Sequence, residues 1–105
     1  MNKNEKAIIK ALEDMKANDV KFYDVRGKNP LCDSIIVCTA LNERNLNALS
    51  EEVQDVAEKN KMKINHIEGR NCSTWIIVDL NDVVVHIMSE NERARINLDN
   101  IIEGK

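Results

Sequence analysis

The chain has 105 residues, 43% of them hydrophobic. That length suits a single domain over residues 1–105, and the apolar content supports one compact core, which excludes a disordered chain. A net charge of −3 argues against a broad phosphate-binding surface and leaves a basic protein partner compatible. Three cysteines without paired spacing exclude a disulfide framework and suit a reducing compartment. The stretch MNKNEKAIIKALEDMK is too charged for a signal peptide, and no apolar run is long enough for a membrane span. A soluble cytoplasmic protein is expected.

Residues 4–17 read as a helix, because Ile8, Leu12 and Met15, flanked by Ile9 and Ala11, recur at helical spacing. Asn4 is the candidate N-cap, with Glu5 in the first turn. The apolar stripe is that of a helix covering a sheet rather than one docking on a partner. Residues 21–25 form a short strand with Phe22 and Tyr23 on opposite faces, and residues 27–30 form a turn holding the only Pro. The strand at 33–39 carries Ile35-Ile36-Val37, a run expected where both faces are covered.

Residues 41–60 give the clearest helix, with Leu46, Leu49, Val53, Val56 and Ala57 on one stripe. Asn42 is placed as N-cap, Leu41 and Leu46 have the spacing of a hydrophobic staple, and Asn60 can end the helix in the left-handed region. Residues 62–67 alternate weakly, Met62, Ile64 and His66 opposing Lys63, Asn65 and Ile67, and read as a strand. The centre of the chain is residues 68–88. Ile76-Ile77-Val78 and Val83-Val84-Val85-x-Ile87 are β-branched runs joined by Asn81-Asp82, residues that tolerate the positive φ of a tight hairpin turn. Ser89-x-x-Glu92 matches a capping box, so a short helix starts there, and Ile96, Leu98, Ile101 and Ile102 pack the tail back onto the domain. Alternating helices and strands predict an α/β layer structure with a small mixed sheet of about five strands.

Few groups point to chemistry. Gly27, Gly69 and Gly104 are too scattered to build a phosphate-binding loop. Cys32 and Cys38 are six apart with Cys72 distant, so no Cys-x-x-Cys exists; His66 and His86 lie on different strands, and nothing in their spacing demands zinc. Asp33, Asp79 and Asp82 are the carboxylates a metal site would use, but Asp79 and Asp82 flank a turn where Asp is common for conformational reasons. No cofactor or metal is expected. Trp75 stands out. Alternation puts Ile76, Val78 and Leu80 on one uniformly aliphatic face and Trp75, Ile77 and Asp79 on the other. An aromatic beside an aliphatic and an acid suits an interface, and it equally suits packing under a helix.

Two blocks carry a resemblance. One is Glu68-Gly69, Trp75 to Asp79, then Asp82-Val83-Val84-Val85-His86-Ile87; the other is Cys32-Asp33-Ser34-Ile35-Ile36-Val37-Cys38-Thr39 followed by Asn42-Glu43-Arg44. In this order they resemble the ribosomal silencing factor family, RsfS or Iojap, over residues 20–102. The resemblance implies a small mixed sheet with helices against it, similar to the nucleotidyltransferase fold. It implies a translational repressor rather than an enzyme, one that binds the large ribosomal subunit at ribosomal protein fourteen and blocks joining of the small subunit. It also tips Trp75 toward the interface. Trp75 and Ile77 are then the apolar centre, Asp79 pairs with a basic residue of the partner, His86 and Met88 extend the patch, and Arg70 and Glu68 lie near its rim. A homodimer covering the patch in the free protein fits the same picture, with neither membrane nor sequence-specific nucleic acid as partner. The alternatives are a metal-dependent nucleotidyltransferase-like enzyme using Asp33, Asp79 or Asp82, and a dimeric adaptor with a non-ribosomal partner. The chain departs from the family pattern at Ser34-Ile35, where an aromatic pair is common, at Leu41 and Asn81, where Gly is common, and at Ile96 and Ile102, which replace tail aromatics.

Overall fold

A computed structural model describes residues 1–69 and 73–104. The element order is α1 (Lys3–Asp14), β1 (Asn18–Asp24), β2 (Ser34–Ala40), α2 (Glu43–Lys59), β3 (His66–Glu68), β4 (Trp75–Asp79), β5 (Val83–Ser89), α3 (Glu90–Ile96) and α4 (Leu98–Glu103). The strands form one mixed sheet in the order β1-β2-β5-β4-β3. Only β2 and β5 run parallel; the other neighbours are antiparallel. A parallel pair needs a crossover connection, and α2 with the β3–β4 hairpin supplies it.

Helices α1 and α2 lie together on one face of the sheet. Ile8 and Leu12 of α1 and Leu46, Leu49, Val53 and Ala57 of α2 close over Ile36, Cys38, Ile76, Val78, Val85 and Ile87. The aliphatic face read from residues 76–80 is this core face, with Ile76 at 1% and Val78 at 0% exposure.

Local chemistry explains the element ends and several departures from expectation. Helix α1 starts one residue early, with Asn2 as N-cap rather than Asn4, and ends at Asp14, three residues short of Ala17. The Glu5 N–H donates to Asn2 Oδ1 and the Asn2 N–H to Glu5 Oε1, both at 2.8 Å. That reciprocal box satisfies two orphan donors and needs Glu5 at N3. Asn42 caps α2 as expected, its Oδ1 accepting from the Asn45 N–H at 2.7 Å. The left-handed residue after α2 is Lys61 at φ 56°, whereas Asn60 stays at φ −99° and donates from its side chain to the Val56 carbonyl. Strand β3 is shorter than residues 62–67. Met62 and Ile64 pack against the core without pairing, and β3 begins only at His66, where pairing with Asp79 starts. Asn81 turns the β4–β5 hairpin at φ 70°.

The tail is held by a polar hub more than by its isoleucines. Ile101 is 65% exposed. Arg93 of α3 donates through Nε and Nη2 to the two carboxylate oxygens of Asp99 at 3.1 and 2.9 Å. Its Nη1 donates to the Asp19 carbonyl at 2.6 Å and to Thr39 Oγ1 at 3.0 Å, and the Tyr23 hydroxyl donates to Asp99. One guanidinium thus ties α3, α4, β1 and β2 together on the sheet's second face.

Candidate functional site

The helices on the second face cover only part of it. Register places three rows of side chains there: Tyr23, Ile35, Val84, Asp79 and His66; Lys21, Val37, His86, Ile77 and Glu68; and Thr39, Met88 and Trp75. Toward β3 and β4 this face is open. Trp75, Ile77, Asp79, Val84 and His86 are each half-buried, and His66 and Glu68 are exposed. The expected companionship of Trp75, Ile77 and Asp79 therefore holds, and His86 and Glu68 join them.

Met88 does not extend the patch. It is on the predicted side of β5 but fully buried. The chain runs from β5 directly into α3, which folds back over that end of the sheet. Arg70 lies outside the described residues, as does Cys72.

Trp75 and His86 are diagonal neighbours across β4 and β5, a geometry in which large side chains meet. The indole Nε1–H donates to His86 Nδ1 at 3.1 Å, with ring centroids 5.9 Å apart. Accepting at Nδ1 puts the proton of the neutral imidazole on Nε2. Burial pushes the His86 pKa down to about 4, against a weaker upward pull from Glu68. His86 is thus a neutral ring that orients Trp75, and near neutral pH it does not switch.

The carboxylates divide by how far their own chain engages them. Asp79 Oδ1 accepts the Asn81 N–H at 2.8 Å, bracing the hairpin turn, and its Oδ2 lies 3.4 Å from His66 Nδ1 and 3.3 Å from Asn65 Nδ2. The turn role expected of Asp79 is therefore present. Glu68 faces outward, with Oε1 3.2 Å from His66 Nε2. Among the described residues no three His, Cys, Asp or Glu side chains come together as a group able to hold a metal ion. His66 and His86 share the face but are separated by β4.

Sequence reasoning missed two members of this site. His66 is legible as one position in a weak alternation and as a histidine without metal-ligand spacing, and its place beside Asp79 depends on the β3 register. Glu92 was read as half of a capping box. Ser89 does cap α3, accepting from the Glu92 N–H at 3.2 Å, but the Glu92 carboxylate accepts from Thr74 Oγ1 and Arg95 and borders a cleft with Glu68, Gly69, Trp75 and Ile77. No helix among the described residues is long and apolar enough to cross a membrane.

A half-open sheet face with an aromatic at its centre and acids around it has the make-up of a binding surface. The model of the ribosomal silencing factor during starvation, RsfS, matches residues 1–104, so the chain belongs to the ribosomal silencing factor family. It is 31% identical over 102 residues to the ribosomal silencing factor RsfS of Bacillus subtilis, covering 93% of this chain and 86% of that one. It is also 30% identical over 93 residues to the chloroplastic protein Iojap of Zea mays, covering 89% of this chain and 40% of that one. A crystal structure of a Chromobacterium violaceum protein superposes with a TM-score of 0.93 at 31% identity, covering 100% of this chain and 89% of the other. The family's role is regulatory, silencing at the ribosome.

Proposed function

We propose that this chain represses translation by docking on the large ribosomal subunit, at its ribosomal protein fourteen, so that the small subunit cannot join. The observation that supports this best is the open half-face around Trp75 and Ile77 in a chain of the silencing family. Steric blockade requires a surface and an affinity, with no catalytic group and no cofactor. A standard interface buries about 1,200–2,000 Å² in total, and a few aromatic or charged side chains carry most of its energy. Trp75 is the natural anchor, already oriented by His86 and therefore losing little rotamer freedom on docking. A net charge of −3 complements a basic ribosomal protein and speeds encounter. In the cytoplasm without free subunits, the same face is the place where a second copy would pair through a two-fold contact.

Co-sedimentation with separated large and small subunits tests this, wild type beside Trp75→Ala. Wild type is expected to pellet with the large subunit alone. The variant should bind roughly 30-fold more weakly, the effect of losing about 2 kcal/mol from an interface anchor. Unchanged binding by the variant moves the site elsewhere on the chain, and binding to neither subunit removes the ribosomal reading in favour of an adaptor with another partner.

A further inference from the structure

We infer that the cleft lined by Glu68, Trp75, Ile77 and Glu92 is a seat for one arginine side chain of the protein that docks on this face. The inference rests on the docking proposed above and names the chemistry that would be recognised there. The cleft has a volume of about 370 Å³ and is bordered by Glu68, Gly69, Trp75, Ile77 and Glu92. An aromatic, an aliphatic and two acidic residues are thus brought to one cleft.

Charge decides which occupant fits. Glu92 Oε1 already accepts from Arg95 at 2.7 Å and its Oε2 from Thr74 Oγ1 at 3.1 Å, so that acid is occupied by the chain's own cation. Asp79 is committed to the hairpin turn and to the His66 side of the face. Glu68 is the acid with room: its side chain is 62% exposed and sits directly opposite Ile77 across β3 and β4. Glu68 Oε1 lies 3.2 Å from His66 Nε2, and a leucine or phenylalanine filling the cleft would take water from the carboxylate without adding a donor for its second oxygen, which is unfavourable. A lysine would meet the charge but hold its hydration and lie poorly on the indole. An arginine lays its stem along Ile77, spreads a planar, weakly hydrated guanidinium on Trp75 and pairs with the Glu68 carboxylate by two parallel hydrogen bonds. The ion pair assigned from sequence to Asp79 thus moves to Glu68.

The single Trp makes the test direct, because the protein has one indole N–H resonance. Titrate the full chain with N-acetyl-arginine methylamide at millimolar concentrations, and in parallel with the lysine and leucine analogues, following that resonance in wild type and Glu68→Gln. A saturable shift with arginine, at least about threefold weaker with lysine, absent with leucine and lost in Glu68→Gln is expected. No saturable shift with arginine, an equal response to leucine, or an unchanged response in Glu68→Gln overturns the assignment. The subunit arm separates this from the ribosomal reading. Glu68→Gln should weaken large-subunit binding about tenfold. If wild type and Glu68→Gln bind the large subunit equally, the arginine seat is wrong and the docking stands. If wild type binds neither subunit while arginine still titrates the indole, the cleft assignment stands and the ribosomal partner falls.

Discussion

Acid should loosen this fold through His86, and the size of the effect can be worked from its surroundings. In the folded chain the ring is half-buried, accepts the Trp75 indole N–H at Nδ1, and has its pKa pushed down to about 4 by burial. In the unfolded chain it returns to about 6.5. The unfolded state therefore binds more protons between these values, so stability rises with pH across the window and falls on acidification. The contribution is fully present above about pH 6.5 and is lost as pH drops toward about 4. Acidification from about pH 7.5 to about pH 5 should remove about 2 kcal/mol on this account alone. The assay is urea unfolding at both pH values, wild type beside His86→Asn, whose amide oxygen can still accept from the indole and cannot titrate. Subtracting the two variants cancels the carboxylates, which titrate in both. Wild type should lose about 2 kcal/mol more than the variant over that interval. Equal acid sensitivity would refute the assignment of a buried, neutral His86.

Two further substitutions probe the scaffold beneath the face. Arg93→Ala leaves Asp99 without its bidentate partner and frees α3 from β1 and β2, so thermal unfolding should register a loss of about 3–5 kcal/mol, with Arg93→Lys giving little rescue because one ammonium cannot replace the fork; retention of wild-type stability would show that the hub is dispensable. Gly69→Ala puts a Cβ 2.2 Å from the Trp75 carbonyl oxygen at a φ of +83°, so the backbone must shift, and a loss of more than about 1 kcal/mol is expected, while Gly27→Ala at φ +78° meets nothing and should cost only about 1 kcal/mol. Comparable midpoints for the two alanine variants in urea would argue against close packing of Gly69 on β4.

Much of this architecture is written locally. The stripe Leu46, Leu49, Val53, Ala57 has helical period and the run Trp75 to Leu80 has period two, so helix α2 and the core face of β4 follow from spacing alone. Asn42 caps because its short side chain accepts locally, and Asn81 turns because Asn tolerates a positive φ and Asp79 Oδ1 accepts its N–H. Those readings need no knowledge of distant residues. Where the local signal was ambiguous, the choice passed to contacts elsewhere. Asn2 rather than Asn4 caps α1 because Glu5 is also held from a distance, by Arg26 at 2.9 Å. Strand β3 starts at His66 because β4 offers pairing partners only from there.

The open half of the sheet's second face divides the same way. Alternation alone determined that Trp75, Ile77 and Asp79 share a side and that His86 and Met88 share one on the next strand. It could not determine which of these remain open, because that depends on where the chain goes after β5. Helix α3, pinned by Arg93 to Thr39, Asp19 and Asp99, buries Met88 and leaves Trp75 and His86 half-covered. The turn role of Asp79 was legible locally, whereas the contacts of Asp79 and Glu68 with His66 depend on the pairing of β3 with β4. Periodicity is a property of neighbours in the chain, and it survives in any fold that keeps the strand. Exposure depends on residues brought together from across the chain, as Arg93 and Thr39 are from 54 positions apart, and only the tertiary structure decides it.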